Sequence, residues 1–310
     1  MPSLSSPRSA SVHYRVEAAD LHAHLFHVTL CIDQPAAQQR VSLPAWIPGS
    51  YLVREFSRHL QRLSARQEGR HVAVQQLDKH SWQVECVPSS PLVLTYEVYA
   101  FDNSVRTAWL DTQRGFFNGT SLCLKVHGQE QSVHSLELVA DKSIAHWEAA
   151  TGLAPHRVGK RGFGTYLATD YDELVDCPVE MGTFWSAEFK AGGVPHRLVV
   201  AGAGESFDSA RLLADVHKIC ETEIRFWHDR KRPPHKSYLF LLNCVDDGYG
   251  GLEHRNSTAL IASRRDLPRI GEGRMGDGYV TLLGLISHEY FHTWNVKRLR
   301  PAEFAKYDYG

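Results

Sequence analysis

Between residues 11 and about 175 the apolar positions fall in short, β-branched runs broken by turn residues: 11–17, 24–32, 81–86, 92–101 and 135–140. Runs of this length bury one face of a strand, so this part of the chain is expected to form an antiparallel β domain. Within it, Pro44-Ala45-Trp46-Ile47-Pro48-Gly49-Ser50-Tyr51 reads as a proline-and-glycine loop, with its two aromatic rings expected to pack inward rather than hold a ligand. After Cys177 and Pro178 the pattern changes. Residues 183–190 and 194–200 suit a hairpin around Gly192-Gly193, and helical periodicity then takes over. Ser206 is the expected N-cap, and Leu212, Leu213, Val216, Ile219, Cys220, Ile224 and Trp227 would share one buried face. Pro233 and Pro234 end that helix. A strand over 237–243, a glycine-rich turn over 246–251, a strand over 257–263 and a helix over 279–296 are expected to follow. The overall expectation is an α+β chain with a boundary near residue 178, giving a β domain over 1–178 and a mixed segment over 179–310.

Length and composition agree with this division. A chain of 310 residues with 43% hydrophobic and 22% charged positions is an ordinary globular sequence, longer than one average domain. Net charge is -1 and the pI is near 7.0, so no overall field favours nucleic acid or an anionic membrane as partner. The first residues lack the basic start and apolar core of a secretory signal, and no apolar run approaches a membrane span; a cytoplasmic protein is the expectation. Six cysteines stand far apart without a CxxC pair, which argues against a cysteine zinc cluster or a redox dithiol and for small buried side chains. The sequons at Asn118 and Asn256 are read as chance.

The chemistry concentrates at His288-Glu289-Tyr290-Phe291-His292, an HExxH pattern on the last expected helix. Residues four apart project from one helix face, so both imidazoles can reach one tetrahedral zinc ion while Glu289 stands beside the water that the ion activates. His288 and His292 are the candidate metal ligands, and Glu289 is the candidate general base. Leu282, Leu283, Leu285 and Ile286 lead into the motif as a buried helix would. Catalytic zinc sites take a third protein ligand. HExxHxxGxxH does not apply, because Asn295 and Arg298 occupy the positions of its glycine and last histidine. Glu303, two residues past Pro301, stands too near for a chain that must turn and return on a second helix, so the third ligand is expected beyond residue 310.

Ahead of that helix lies Asp246-Asp247-Gly248-Tyr249-Gly250-Gly251-Leu252-Glu253-His254. Glycines before an edge strand let a peptide backbone approach closely, and a carboxylate there could hold a substrate's free amine. Together with Trp46-Ile47-Pro48-Gly49-Ser50-Tyr51, with Asp170-Tyr171-Asp172-Glu173-Leu174-Val175-Asp176-Cys177-Pro178, and with the run from His288 to Arg298, this segment resembles the glycyl aminopeptidase family of gluzincin metallopeptidases along essentially the whole chain. The resemblance implies an N-terminal β domain, the first portion of a thermolysin-like catalytic domain over 179–310 and, in many members, a C-terminal PDZ domain. It implies a Zn2+ cofactor and release of N-terminal glycine or alanine from peptides with a free N-terminus. By position, His288 and His292 match zinc ligands, Glu289 the catalytic glutamate, and Gly250, Gly251 and Glu253 the substrate cleft, with Glu253 as amine anchor. A non-catalytic peptide-binding or scaffold protein that keeps the peptidase fold, and an inactive truncated piece of the active enzyme, stand as alternatives.

Overall fold

The computed structural model describes residues 10–310. Alternation decides the first sheet: Val12, Tyr14, Val16 and Ala18 of Val12–Asp20 are buried between half-exposed neighbours, as are Phe26, Val28, Leu30 and Ile32 of Leu25–Ile32. This eight-stranded sheet runs Ala154–Val158, Gly164–Ala168, His134–Val139, Val12–Asp20, Leu25–Ile32, Leu92–Tyr99, Leu60–Gln67 and Arg70–Val72. Its pairs are antiparallel except one. Val12–Asp20 lies parallel to His134–Val139, so the expected all-antiparallel domain is in fact mixed. The physical reason is connection length: more than a hundred residues separate the two strands, and only tight hairpins oblige neighbours to run in opposite directions.

Two four-stranded sheets pack with it, and three core tyrosines tie the segment between them in place. The hydroxyls of Tyr96, Tyr171 and Tyr14 donate to the carbonyls of Leu122, Cys123 and Leu124 at 2.6, 2.8 and 2.6 Å. Each ring thus fills the core while its polar tip stays paired.

A five-stranded sheet follows in the order Phe184–Ala191, Val194–Ala201, Tyr238–Val245, Ser257–Ser263 and Tyr249–Glu253. Its three inner strands are parallel, and an antiparallel strand closes each edge. One face buries Val200, Phe240, Leu242 and Leu260 against the helices Ser209–His228 and Asp277–Phe291. The other face puts Val199, Leu239, Leu241 and Ala259 into the core of the earlier sheets. Both faces are therefore covered, which explains why Tyr238–Val245 is apolar almost without interruption.

Several boundaries differ from expectation. The longer helix is capped by Asp208, whose carboxylate accepts from the Arg211 N–H at 3.0 Å, and not by Ser206. An aspartate at that place satisfies an orphan amide that Ser206 is too distant along the chain to reach. Residues 246–251 are only partly a turn, because Tyr249–Glu253 pairs with Ser257–Ser263 as the edge strand. Tyr51 is 97% exposed, contrary to the inward packing expected of it, whereas Trp46 is half-buried and donates to the Ser50 carbonyl at 2.7 Å.

All six cysteines are free, four of them buried. The side-chain amides of Asn118 and Asn256 are committed to internal carbonyls. Among the described residues no helix is long and apolar enough to cross a membrane.

Glu223, buried on the longer helix, accepts from the Ser287 hydroxyl at 2.7 Å, while its second oxygen has no partner. Burial pushes its carboxyl up to about 7, against the smaller opposing pull of Ser287. The folded protein therefore holds a proton that the unfolded chain gives up near pH ~4.3. Stability from this site is full below that value and declines as pH rises to about 7. Glu223→Gln should flatten this slope and raise stability at pH 8 by up to about 2 kcal/mol, read from denaturant melts of both proteins at pH 5 and 8.

Candidate metal and amine site

The Asp277–Phe291 helix buries Leu282, Leu285, Ile286 and Tyr290 against the sheet and the longer helix. Glu289 points inward with 5% exposure, and His288 lies at the surface. The helix ends at Phe291, five residues before the expected end, but His292 keeps right-handed helical angles, so the four-residue spacing still brings the two imidazoles together, edge to face. Their Nε2 atoms lie 3.1 Å apart. The early end has a local cause. Thr293 and Trp294 donate to the carbonyls three residues back, tightening the chain into turns. That tightening brings the Asn295 carbonyl to 2.6 Å from His292 Nδ1. A carbonyl can only accept, so Nδ1 carries the proton and Nε2 presents its lone pair.

Glu289 reaches the site across Gly251 of the edge strand. A Cβ at Gly251 would occupy the space of the Glu289 carboxylate, so only glycine permits this approach. Gly250, by contrast, has room for a side chain, and no close contact explains its identity. The second carboxylate oxygen of Glu289 is buried without a hydrogen-bond partner. Burial, and then the neighbouring Glu253 carboxylate, push Glu289 up to about 8, while Arg106 and Lys297 pull it down.

Glu253 ends the edge strand at 8% exposure and has no ion-pair partner within 4.0 Å among the described residues. Ligand-capable atoms of Glu253, Glu289 and His292 all lie within 4.8 Å of one another. His288 joins them through its contact with His292. Glu303 is exposed in the short Ala302–Phe304 turn.

Four residues near the site escaped the sequence reading. Arg106 donates to the Gly251 carbonyl at 3.0 Å from a loop 145 positions earlier. Gly49 lies against the Glu253 carboxylate. Asp176 and Lys297 form a buried pair at 3.3 Å, and the same carboxylate meets His254 Nδ1 at 3.3 Å and the Arg255 N–H at 2.9 Å. Burial alone would push Asp176 up; Lys297, His254 and Arg255 outweigh it and hold the carboxyl well below the usual range. Burial opposes the charge on Lys297 as well, but Asp176 and then Glu253 keep that ammonium above its ordinary value. Asp176 and Lys297 stand inside motifs visible in the sequence, whereas nothing around Arg106 announced a role.

Comparison with known proteins gives the family. The Peptidase M61 N-terminal domain matches residues 13–183, and the M61 glycyl aminopeptidase model matches residues 281–310. No curated protein matches the chain. An aminopeptidase N family protein from Idiomarina loihiensis superposes with a TM-score of 0.93 at 44% identity, over 96% of this chain and 50% of its own. The present chain thus spans about half the length of that relative. Aminopeptidase A from Legionella pneumophila, solved with aspartic acid, superposes at a TM-score of 0.55 and 13% identity, over 96% of this chain and 36% of its own; at that distance the likeness is one of fold. With one family model covering more than half of its length and a second lying over the HExxH helix, the chain belongs to the M61 peptidase family.

Proposed function

We propose that the chain supplies the metal- and amine-binding half of a zinc aminopeptidase that releases small N-terminal residues, glycine and alanine, from peptides. On this reading a β domain over 1–178 precedes the first part of a thermolysin-like catalytic domain, and the protein acts in the cytoplasm. The observation that carries it is the facing pair of imidazole nitrogens, 3.1 Å apart, beside an unpartnered buried carboxylate oxygen. Two zinc–nitrogen arms of ~2.0–2.1 Å in a tetrahedron span about 3.3 Å, so the pair suits one ion. The donor set of imidazole and carboxylate also suits zinc.

His288 and His292 would hold the zinc, with His292 locked in the required tautomer by Asn295. When bound, zinc polarises the scissile carbonyl and acidifies a water molecule. Glu289 accepts the proton of the attacking water and passes it to the leaving amine. Glu253 receives the substrate's α-ammonium, which supplies the direct ion-pair contact that its buried carboxylate lacks. The close grouping of Glu253, Glu289 and His292 suits a single residue between amine and scissile bond, because the backbone nitrogen and carbonyl carbon of one residue lie only ~2.5 Å apart.

The test is hydrolysis of glycyl and alanyl amides by the full-length protein. Turnover should vanish on chelation and return with zinc, and N-acetylated substrates should be refused. Glu253→Ala should raise KM for free amines by about tenfold or more while zinc stays bound. Equal cleavage of acetylated substrates would remove the amine-anchor role, and loss of zinc from Glu253→Ala would make Glu253 a ligand instead.

A further inference from the structure

Glu253 owes its position to a loop outside its own sheet. Gly49 adopts φ +93°, and a Cβ built on it would stand 2.7 Å from both carboxylate oxygens of Glu253 and 2.7 Å from Leu252 Cδ1. The glycine backbone is thus in contact with the carboxylate itself. The loop that carries it is tightly held. Trp46 Nε1 donates to the Ser50 carbonyl at 2.7 Å, the Ser50 hydroxyl donates to the Leu52 carbonyl at 2.8 Å, and Arg54 Nε donates to that hydroxyl at 2.9 Å. The Ala45 N–H donates to the Tyr309 carbonyl at 2.7 Å, which joins the loop to the far end of the chain.

The Gly49 end of the loop is itself largely buried, with Ile47, Pro48 and Ser50 inside and residues 51–53 exposed. A buried carboxylate with no ion pair of its own within 4.0 Å gains hydration by turning toward water. The Gly49 backbone lies against that carboxylate, which also stands within 4.8 Å of ligand-capable atoms of Glu289 and His292.

We propose that Gly49 is the positioning residue of the amine anchor: the 46–54 loop, folded with the first sheets, holds the Glu253 carboxylate in register with the candidate metal ligands and so governs recognition of the free N-terminus. The inference rests on the amine-anchor reading of Glu253. It assigns a task in peptide selection to a segment that carries none of the reacting groups.

The experiment measures KM, kcat and zinc content for glycyl amides in six full-length proteins: wild type, Gly49→Ala, Glu253→Asp, the double variant of these two, Trp46→Phe and Glu253→Ala. Gly49→Ala should raise KM about tenfold with zinc content unchanged and kcat changed less, since a displaced charge-assisted contact is worth about that factor. The shorter carboxylate of Glu253→Asp should fit beside the new methyl group, so the double variant should bind better than the product of the single effects allows. Trp46→Phe adds no atom near the carboxylate and loosens the loop by one hydrogen bond; it should raise KM in the same direction, which keeps the test sound if Gly49→Ala folds poorly. Unchanged KM in both Gly49→Ala and Trp46→Phe, with Glu253→Ala still impaired, overturns the positioning role and leaves the anchor standing. A neutral Glu253→Ala overturns the anchor, and this inference with it.

Discussion

Glu289→Gln is expected to reduce amide hydrolysis by the full-length protein by about a thousandfold while zinc content stays at the wild-type level. Removing a general base in this chemistry costs a factor of ~10²–10⁴. Glutamine has nearly the same shape, so it can keep the contact with Gly251 that fixes the side chain. It cannot take a proton from water. The two imidazoles lie on the adjoining turn and need no help from residue 289, so metal affinity should survive. Zinc analysis and single-turnover rates on the same preparation decide the matter, and retained turnover would remove Glu289 from the chemistry. Burial and Glu253 push the Glu289 carboxyl up to about 8. A cation nearby favours the carboxylate, so zinc uptake should release a proton and strengthen as pH rises.

Lys297→Met is expected to lower folding stability by roughly 3 to 5 kcal/mol, the usual cost of leaving one member of a buried ion pair without its partner. The Lys297 side chain is 1% exposed and that of Asp176 is 10% exposed, so water cannot compensate. His254 and Arg255 remain on the carboxylate and should keep the loss near the lower end of that range. Adding Asp176→Asn to Lys297→Met should recover much of the loss, because neither charge is then stranded. Denaturant melts of the two single variants and the double variant measure this coupling. The pH dependence has a definite sign. Asp176 is held below its ordinary range, so the pair stabilises the fold above pH ~3.9 and the contribution fades as pH falls from there toward the depressed value. Additive effects in the double variant would mean that the pair carries no coupling energy.

Much of the fold was legible because it rests on local alternation. The strands at 12–20, 25–32, 92–99 and 257–263 lie where short apolar runs placed them, and the hairpin around Gly192-Gly193 turns where two consecutive glycines can take positive φ. Helix ends were less legible. Asp208 and Ser206 are both good caps by type, and only the backbone path selects between them. The strand Tyr249–Glu253 was hidden by its own glycines, which lower strand propensity but are tolerated where another group approaches closely.

The candidate site divides along the same line. HExxH declares its geometry in the sequence because one turn of helix suffices to bring two imidazoles together, a short-range consequence of 3.6 residues per turn. The space that Gly251 leaves for Glu289, and the contacts of Arg106, Gly49 and Asp176, depend on segments as far as 204 positions from the residue they serve. Periodicity carries no information about such pairings, because they arise only when separately folded sheets bury surfaces against one another. By itself the sequence determined most of the elements and the candidate reacting groups; the tertiary packing decided which backbone presses on which carboxylate, since that is set by long-range burial and not by spacing along the chain.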